Sequence, residues 1–505
     1  MHMEQTLKFL GDFIEGRFHL TEHGDEEWQV ASPANLKDVV LRPSGVYAHV
    51  DKAVHSARKA FLPWAHLSLE KRRAYMLRLK EVFQARASEV TEIIARETGK
   101  PLWEAKTEAA ALAAKIDVTL NHSLKLVAEE EIKDALPGVS GFTRHKARGV
   151  MAVVGPFNFP AHLPNGHIVP ALITGNTVVF KPSDKTPAVG QWMAQCFEAA
   201  EFPAGVFNLI QGKAEVGKRL VNHEDVDGVL FTGSYEVGLK IKQDTLTHFK
   251  KILALEMGGK NATVVWEDAD LKKAVYESVV GCFMSAGQRC SCTSRLILHR
   301  KIRDAFIDQF YANAKKLKIG HWREDVFMGP LISADSVEKY IRYQEIARRE
   351  EAESLMRGKA LSLDHEGYYV TPSINLVKGF DPKSVYQKSE IFGPNVAVFT
   401  VDTIEEALAI NNSSGFGLVM SLFTKNKALY EKALIEAQVG LLNLNRTTNG
   451  ASSRLPFGGM NKSGNDRPSA HYAVQYCTVP VASLEDPTPF SATGMPPGLN
   501  FEYKE

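Results

Sequence analysis

The sequence predicts an α/β protein built on parallel sheets. Short runs rich in β-branched residues alternate with helical stretches between about residues 150 and 260, and the same alternation returns after residue 260. Strands that alternate with helices form parallel sheets covered by helices on both faces. The chain has 505 residues, which is enough for about three domains at the usual ~150 residues each.

Composition and charge exclude several classes of partner. Lys and Arg total 60 against 59 for Asp and Glu, and the resulting charge of +1 gives no overall attraction to nucleic acid or anionic membranes. No apolar stretch approaches the ~18 residues of a membrane span, and the N-terminus lacks a secretory signal pattern. Five cysteines, an odd and sparse number, disfavour a disulfide framework and indicate a reducing, cytoplasmic location.

The first 130 residues are expected to be mostly helical. A short hairpin is predicted around Gly11 to Gly16. Apolar residues recur at helical spacing from 50 to 61, from 76 to 94 in a helix that Ser68 caps and Gly99 ends, and through the Ala-rich run from 102 to about 130.

Two regions of alternating elements follow. The first has strands at 151–154, 177–180, 206–210, 229–232 and 252–255, with helices at 189–200 and 215–221 between them. The second has strands at 263–266 and 295–298, with helices at 271–284, 301–317, 335–350, 403–411 and 426–438. The Pro-rich stretch after Pro480 is expected to lie along the surface.

Cys290, in the sequence GQRCS, is a candidate nucleophile. The thiolate is the reactive form of cysteine, and a nearby cation such as Arg289 favours it. Most intracellular cysteines are small buried apolar groups, so the motif alone is weak evidence for a nucleophile.

Glu256, in LEMGGK, is expected at a strand end in an apolar setting, which raises the pKa of a carboxyl group and suits a general base. Both Cys290 and Glu256 are expected in loops that follow strands.

Three further loops follow predicted strands and carry polar groups. Asn158, in GPFNFP, could donate a hydrogen bond to developing negative charge. Lys181 and Asp184, in KPSDKTP, lie where open α/β sheets bind nucleotides. FTGSYEVG reads as strand, turn and helix, with a Ser cap that would place a pyrophosphate at a helix N-terminus. A structural role is as common for each loop taken alone.

Metal binding and serine hydrolase chemistry are disfavoured. Cys282, Cys290 and Cys292 lie close in sequence, but no pair has the CxxC spacing of a zinc site and no HxxxH follows. Ser291 lacks the GxSxG context of a hydrolase nucleophile.

Seven motifs in sequence order resemble the aldehyde dehydrogenase superfamily, from about residue 10 to about residue 485. They are FNFP, KPSDKTP, FTGSYEVG, LEMGGK, GQRCS, EIFGP and PFGG. The resemblance implies two Rossmann-like α/β domains and a small β oligomerisation flap. It places a cofactor domain at 1–128 and 148–255, a catalytic domain at 256–470, the flap at 129–147 and 471–490, and a tail at 491–505.

The resemblance also assigns roles to residues. Cys290 looks like the nucleophile, Asn158 with the Cys290 backbone N–H like the oxyanion hole, and Glu256 like the general base. The matching cofactor contacts are Lys181, Ser183, Asp184, Gly233, Ser234, Gly238, Glu390 and Phe392. Because an acidic side chain at Asp184 should repel a 2′-phosphate, NAD is expected rather than NADP. The flap implies a homodimer or a dimer of dimers.

A closer resemblance concerns the substrate. AHLPNGHIVPAL, NGASSRLPFGG and SGNDRPSAHYA look similar to family members that oxidise N-succinylglutamate 5-semialdehyde in arginine catabolism. Lys260 and the sequence NRTTNG depart from that group, which keeps glutamate 5-semialdehyde (1-pyrroline-5-carboxylate) or a broad range of aldehydes as alternatives. If the substrate bears carboxylates, Arg446, Arg454 and Arg467 are candidate partners, because Arg binds carboxylates bidentately, and a surface or structural role is at least as common for each. Ala451 and Ser452 are further candidate substrate contacts.

Two other functions remain as alternatives. A CoA-acylating dehydrogenase would not need Glu256, because a thiol rather than water takes the acyl group. A catalytically silent binding or structural protein on the same fold would have no reason to retain Cys290, Glu256 and Asn158 together.

Overall fold

The computed structural model describes residues 5–465, 467–490, 495–499 and 501–503. Positions 491–494, 500, 504 and 505 of the expected tail lie outside the described residues. The described part of the chain forms an α/β structure with two seven-stranded sheets, which agrees with the predicted fold class.

The first sheet contains all five strands predicted between residues 150 and 256. Those five are mutually parallel, and the predicted N-terminal hairpin is confirmed, with its first strand antiparallel to Phe207–Leu209. In spatial order the strands are Ile252–Glu256, Gly228–Thr232, Val150–Val154, Thr177–Lys181, Phe207–Leu209, Asp12–Ile14 and Arg17–His19.

Helices of the first half cover this sheet. Parallel strands are buried on both faces, and Val150–Val154, Thr177–Lys181 and Gly228–Thr232 are accordingly buried almost throughout. The helices are Ala48–Ala65, Leu69–Ala85, Ala87–Thr98, Leu102–Asn121, His162–Ile173, Pro187–Ala199, Ala214–Asn222 and Tyr235–Asp244, with a 3₁₀ turn at Ser123–Val127.

The second sheet is parallel except at one edge. Glu353–Met356 pairs antiparallel with its neighbour, and the other six strands are parallel. The spatial order is Glu353–Met356, Ser373–Leu376, Asn395–Val401, Thr293–His299, Asn261–Val265, Val419–Phe423 and Leu441–Leu444. The helices here are Leu271–Phe283, Arg303–Ala314, Ala334–Arg349, Val385–Lys388, Ile404–Asn412 and Lys427–Glu436, with 3₁₀ turns at Met284–Gly287 and Arg300–Ile302.

A separate antiparallel sheet joins a middle segment to the C-terminal segment. Val139–Ala147 is its central strand and pairs with Thr478–Glu485 on one side and Glu130–Leu136 on the other. The helix Ala473–Tyr476 leads into it. Four two-stranded pairs complete the described strands: Glu26–Glu27 with Ser44–Gly45, Val30–Ser32 with Asn35–Leu41, Phe416–Gly417 with Met460–Asn461, and Pro456–Phe457 with Ser469–Ala470.

The chain from Ser463 to Asn465 closes the outer edge of the first sheet. Asn465 accepts a hydrogen bond from the Leu255 N–H at 2.8 Å and donates from its side chain to the Leu253 carbonyl at 2.7 Å. The Met257 N–H donates to the Ser463 carbonyl at 3.0 Å, and Glu256 forms an antiparallel bridge with Gly464. The strand that carries Glu256 is therefore paired by a segment more than 200 residues later.

Some sequence-based expectations were wrong in detail. The single helix expected from 68 to 98 is two helices, because Arg86 leaves helical geometry at φ −104° and ψ 16°. Its side chain bonds Glu89 and Gln195, which ties the second helix to Pro187–Ala199. The first 130 residues also contain more strand than expected, at Val30–Ser32 and Asn35–Leu41.

Among the described residues, no helix is both long enough and apolar enough to cross a bilayer.

Candidate active site

A cavity of about 700 Å³ opens at the carboxyl ends of the first sheet's strands. Ligands of open α/β sheets bind at this end of the strands. Most of the residues singled out from the sequence line it, although they come from six separate stretches of the chain: Asn158, Lys181, Ser183, Asp184, Gly233, Ser234, Glu256, Cys290, Glu390 and Phe392.

Cys290 lies in an irregular loop between the helix Leu271–Phe283 and the strand Thr293–His299. The expectation that it follows a strand was wrong, because it precedes one. The Asn261 side-chain amide donates to the Cys290 carbonyl at 2.7 Å and to the Cys292 carbonyl at 2.9 Å. The loop is thereby fixed to the start of a neighbouring strand, and the partly exposed Cys290 faces the cavity.

Arg289 does not serve as the cation that favours a Cys290 thiolate. Its guanidinium donates to Glu104 at 2.8 Å and to Ser285 Oγ at 2.7 Å, so its charge is already paired. Burial raises the pKa of the Cys290 thiol well above its ordinary value, and the neighbouring Glu256 and Glu390 raise it further. The structure therefore gives no support to Arg289 as the group that favours a thiolate at Cys290.

Asn158 is buried at the cavity wall. Its side-chain amide donates to the Gln288 carbonyl at 2.9 Å, which sets it two residues from Cys290 in the same loop. An amide nitrogen carries two N–H groups, so the second one remains to donate. The neighbouring Phe157 packs edge-on against Phe392, with ring centroids 5.8 Å apart. This contact joins loops from the two halves of the chain.

Glu256 has the raised pKa that its apolar setting predicts. Burial raises the pKa to about 8, with a further contribution from the charge of Glu390. The group is almost completely buried, and a hydrogen bond with the Cys290 thiol acts against the rise in its pKa. Among the described residues, neither carboxyl oxygen has a further hydrogen-bond partner. A buried carboxyl group beside a thiol is placed to take or give a proton there.

Glu390 is a second carboxyl group in the cavity. It accepts a hydrogen bond from the Gly259 N–H at 2.8 Å. Burial raises its pKa to about 7, while this hydrogen bond and Lys339 act in the opposite direction. Gly258 has φ +66°, and a Cβ there would lie 2.4 Å from Glu390 Oε2, so only glycine allows this close approach.

The far end of the cavity carries lysines and carboxylates. Lys181 is buried, donates to the Pro182 carbonyl at 3.1 Å, and has its pKa lowered by burial. Ser183 Oγ accepts from the Lys185 N–H, and the Asp184 carbonyl accepts from Trp28. Lys213 and Glu215 also line this end and were not singled out from the sequence.

The turn after Gly228–Thr232 leads directly into a helix. Ser234 caps Tyr235–Asp244 by accepting from the Val237 N–H, as predicted, and Gly233 and Ser234 line the cavity. Gly238 does not line it. A Cβ at Gly238 would lie 2.2 Å from Met257 Sδ, so this glycine allows the helix to pack on Met257.

The proposed substrate contacts lie outside the lining of this cavity. Arg446 is exposed and donates to the Gly450 carbonyl at 3.0 Å, while Arg467 donates to the Gly459 carbonyl at 2.8 Å. Ala451 and Ser452, like Arg454, are exposed at the surface of the same region. The structure does not gather them with Cys290 in the 700 Å³ cavity.

Sequence reasoning missed several residues that hold the site together. Asn261 and Glu104 anchor the loop around Cys290, and Asn449 accepts from Ser291 Oγ at 2.8 Å. Lys260 is almost completely buried, its ammonium has no hydrogen-bond partner among the described residues, and burial lowers its pKa to about 7. Asn261 directly follows LEMGGK, and its position was the available signal, whereas Glu104 and Asn449 lie far from both motifs in sequence.

Metal ligation finds no support in the side-chain arrangement. Within the described ranges, no group of three His, Cys, Asp or Glu side chains could hold a metal ion.

A family model matches almost the whole chain. The model for the aldehyde dehydrogenase family matches residues 20–481. Similar curated proteins include an N-succinylglutamate 5-semialdehyde dehydrogenase of Escherichia coli, 39% identical over 98% of this chain and 99% of that protein. N-succinylglutamate 5-semialdehyde dehydrogenase 2 of Caulobacter vibrioides is 41% identical, over 94% and 96%.

Solved structures show the same fold. A 1-pyrroline-5-carboxylate dehydrogenase from Thermus with bound NAD has a TM-score of 0.88 and 30% identity, covering 94% of this chain and 92% of that one. A betaine aldehyde dehydrogenase from Staphylococcus aureus with NAD⁺ has a TM-score of 0.89 and 26% identity, covering 96% and 99%.

Proposed function

The chain belongs to the aldehyde dehydrogenase family, and we propose that it oxidises N-succinylglutamate 5-semialdehyde to N-succinylglutamate with NAD. The observation that carries the reaction is the meeting of Cys290, Asn158 and Glu256 at one cavity, on loops held from both halves of the chain. A nucleophile, an oxyanion donor and a base are the parts that acyl transfer through a thiol requires.

In the proposed reaction Cys290 adds to the aldehyde carbon. The thiol proton is released to solvent as the bond forms. Glu256, whose pKa of about 8 suits a base near neutral pH, is thereby free for the later step. The Asn158 amide and the Cys290 backbone N–H hold the oxyanion of the thiohemiacetal. Loss of hydride from that carbon leaves a thioester on Cys290. Glu256 then takes a proton from water as the water attacks the thioester carbon. The C–S bond breaks, the carboxylic acid is released, and Glu256 returns its proton to the Cys290 sulfur.

The cavity residues fit a nicotinamide dinucleotide. The buried Lys181 and the loop at Ser183 and Asp184 would hold the adenosine end, and the capped start of Tyr235–Asp244 would face the pyrophosphate. Glu390 and Phe392 line the cavity with Cys290 and would hold the nicotinamide end. Bound there, the nicotinamide would accept the hydride.

We propose NAD rather than NADP. Asp184 and Glu215 line the cavity, and carboxylates at the ribose disfavour a 2′-phosphate. Lys213 and Lys218 line the cavity as well and could attract a phosphate, so the reaction rates with NAD and with NADP should both be measured.

The substrate proposal rests on the relatives. The two curated proteins named above, which match this chain over nearly all of their own length, are named for N-succinylglutamate 5-semialdehyde. A second candidate is glutamate 5-semialdehyde, favoured by the structural similarity to the 1-pyrroline-5-carboxylate dehydrogenase. Glu256 disfavours CoA acylation, because a base that activates water has no task when a thiol takes the acyl group.

A panel of aldehydes tests the proposal. Initial rates with NAD and with NADP should be compared for N-succinylglutamate 5-semialdehyde, glutamate 5-semialdehyde, betaine aldehyde and a simple aliphatic aldehyde. We expect the highest kcat/KM for the succinylated semialdehyde with NAD, at least about tenfold above the others, since one hydrogen bond to a charged group is worth about this factor or more. Comparable values for aliphatic aldehydes would contradict the substrate assignment.

We also propose a division of the chain and its assembly. Residues 1–128 and 148–255 would form the cofactor domain, 256–470 the catalytic domain, and 129–147 with 471–490 an oligomerisation flap. The flap's strands expose Ile132, Leu136 and Leu484, which are each more than half exposed. A second copy of the chain would cover these side chains, giving a homodimer or a dimer of dimers.

A further inference from the structure

A buried carboxylate reaches the loop that precedes Cys290. Glu104, in the first turn of Leu102–Asn121, is fully buried and accepts a hydrogen bond from Ser285 Oγ. The same carboxyl oxygen accepts from Arg289 Nη2 at 2.8 Å, and Arg289 Nε donates to Ser285 Oγ at 2.7 Å. The three side chains form a closed triangle, which we name the Glu104 triangle.

The backbone inside this triangle is in a rarely populated conformation. Ser285 has φ 55° and Ala286 has φ 54°, both in the left-handed region that favours glycine, and Gly287 follows at φ 71°. Two successive non-glycine residues in this region persist only where the surroundings hold them. Ser285 is one corner of the Glu104 triangle, so Glu104 is in direct contact with the strained segment.

The loop is held from two directions. The second half of the chain fixes residues 290–292 through Asn261 and Asn449. The first half fixes residues 285–289 through Glu104. Cys290 lies where these two sets of contacts meet, so a shift of either half relative to the other would move its thiol.

The charges in the triangle are balanced. Burial by itself would raise the pKa of Glu104, but Arg289, Lys100 and the hydrogen bond from Ser285 together hold it below its ordinary value. Arg289 also lies over the Phe159 ring, 4.9 Å from the centroid. Its cation thus contacts Glu104, Ser285 and Phe159, and it is not among the groups that shift the pKa of the Cys290 thiol.

We propose that Glu104 is a positioning residue that places the Cys290 thiol against Asn158 and Glu256 by holding Ser285 and Arg289. The triangle fixes the loop backbone, and it keeps the Arg289 charge from acting on Cys290. This role rests on the proposed function, in which Cys290 is the nucleophile. Misplacing a reacting atom by about 1 Å can cost on the order of 10²-fold in rate.

The first test uses Glu104→Gln, which keeps the size of the side chain and removes its charge. In rapid mixing with saturating NAD, we expect the first turnover of NADH to slow by about tenfold or more. The dissociation constant for NAD, measured by fluorescence titration, should stay within about twofold, because Glu104 does not line the cavity. A first turnover unchanged within about twofold would overturn the proposal.

A matched control separates positioning from general stability. Asp38→Asn removes the charge of another buried ion pair in the first half, that of Asp38 with Arg96, which is remote in sequence from the Cys290 loop. We expect its first turnover to match that of the unmodified protein. An equal slowing in Asp38→Asn and Glu104→Gln would assign the effect to lost stability and would also overturn the proposal.

Ser285→Ala serves if Glu104→Gln does not fold. It removes one corner of the triangle and leaves the Glu104–Arg289 pair in place, so a smaller slowing of about threefold is expected. Where both variants fold, the double variant should be slower than the unmodified protein by less than the product of the two single effects, because both act through one contact. Fully multiplicative losses would contradict a shared contact.

Alkylation of Cys290 by iodoacetamide provides a readout that needs no aldehyde. Releasing the triangle frees the Arg289 cation and exposes the thiol, so Glu104→Gln should be labelled at least about threefold faster at fixed pH, as counted by peptide mass. Unchanged labelling would reject the positioning role. If the unmodified protein oxidises none of the aldehydes, the proposed function fails, while the labelling comparison still decides whether Glu104 controls the loop.

Discussion

At Cys290, one thiol lies near two carboxyl groups, Glu256 and Glu390, and all three line the same cavity. Burial raises the pKa of each, to about 8 at Glu256 and to about 7 at Glu390. Because the groups are close, their protons leave in steps that belong to the cluster and not to single residues. Cofactor and substrate, by displacing water and adding charge, will alter these steps.

Replacing Cys290 removes the nucleophile. We expect Cys290→Ala to produce no NADH from any aldehyde while binding NAD as the unmodified protein does, since the thiol is one of many lining groups. NADH absorbance and NAD fluorescence titration measure the two properties. Cys282→Ala, at a buried cysteine outside the cavity, is the matched control and should keep its activity. Turnover by Cys290→Ala would reject the mechanism.

Replacing Glu256 tests the deacylation step. Its raised pKa means that the carboxyl group is neutral below about pH 8 and becomes a base above it, so turnover of the unmodified protein should rise through that pH. Glu256→Gln should give a burst of NADH followed by steady-state turnover at least about 10²-fold slower than that of the unmodified protein. Its turnover should not rise with pH near 8. A pH profile that keeps its rise in Glu256→Gln would assign the titration to another group.

Lys260 links a buried charge to stability. Its pKa is lowered by burial to about 7, and nearby Arg295 lowers it while Glu390 opposes this. Between about pH 7 and 10 the unfolded chain binds more protons at this residue, so folded-state stability from Lys260 rises with pH. The unfolding temperature of the unmodified protein should therefore rise relative to that of Lys260→Met as the pH increases over this range. A constant difference would show that Lys260 keeps its ordinary pKa.

Residue identities could be predicted where a motif follows a strand, because the strand's end fixes where its loop lies. Asn158, Lys181 and Glu256 are of this kind. Partners could not be predicted. Arg289 was considered as a cation for Cys290 because it adjoins that residue in sequence, whereas its partner Glu104 lies 185 residues away. Such pairings depend on how the two halves meet.

Among the elements, the helix His162–Ile173 was missed for a physical reason. The helix is buried from Pro164 onward, so its sequence lacks the alternation of apolar and polar residues that identifies a surface helix. It also contains proline, which ordinarily ends a helix. Pro164 falls in the first turn, where an N–H is unpaired anyway. Glu108, on the neighbouring helix Leu102–Asn121, accepts hydrogen bonds from the N–H groups of Ala161 and His162, which stabilises the start of the helix.

The helix Pro187–Ala199 depends on a carboxylate from another helix. Glu97 accepts the Ala188 N–H at 2.8 Å and the Val189 N–H at 3.0 Å. Glu97→Ala would leave two buried donors unpaired at a cost of about 2 kcal/mol or more, so we expect the unfolding temperature to fall by about 4 °C or more. The exposed Glu198→Ala, on the same helix, should change it little. Equal changes in unfolding temperature for Glu97→Ala and Glu198→Ala would show that the Glu97 hydrogen bonds do not stabilise the protein.

On the scale of the whole molecule, the α/β class and most strands of the first sheet followed from the sequence. The strands Asn395–Val401 and Val419–Phe423 of the second sheet did not. They are short apolar runs in which apolar and polar residues do not alternate, and periodicity alone cannot distinguish such a strand from a segment of buried helix. Their places in the sheet come from long-range pairing with Thr293–His299 and Asn261–Val265.

The exposed apolar side chains of the flap allow a test of assembly. Ile132→Lys with Leu484→Lys should lower the mass in solution, measured by light scattering, because charges would replace apolar groups at the proposed contact between copies. Ile435→Lys, at an exposed position on Lys427–Glu436, is the control and should leave the mass unchanged. A monomeric unmodified protein, or an equal effect of Ile435→Lys, would contradict the proposed interface.

The pairing of Ser463 to Asn465 with the strand Ile252–Glu256 has a consequence for synthesis on the ribosome. The strand that bears Glu256 leaves the ribosome long before the segment that completes its edge. Chains fold from the N-terminus as they are made, so the nascent first half has an open sheet edge for the time needed to add some 200 residues. Nascent chains arrested before residue 463 should therefore lack a formed Glu256 pocket, and chaperones have a defined strand to shield during that interval.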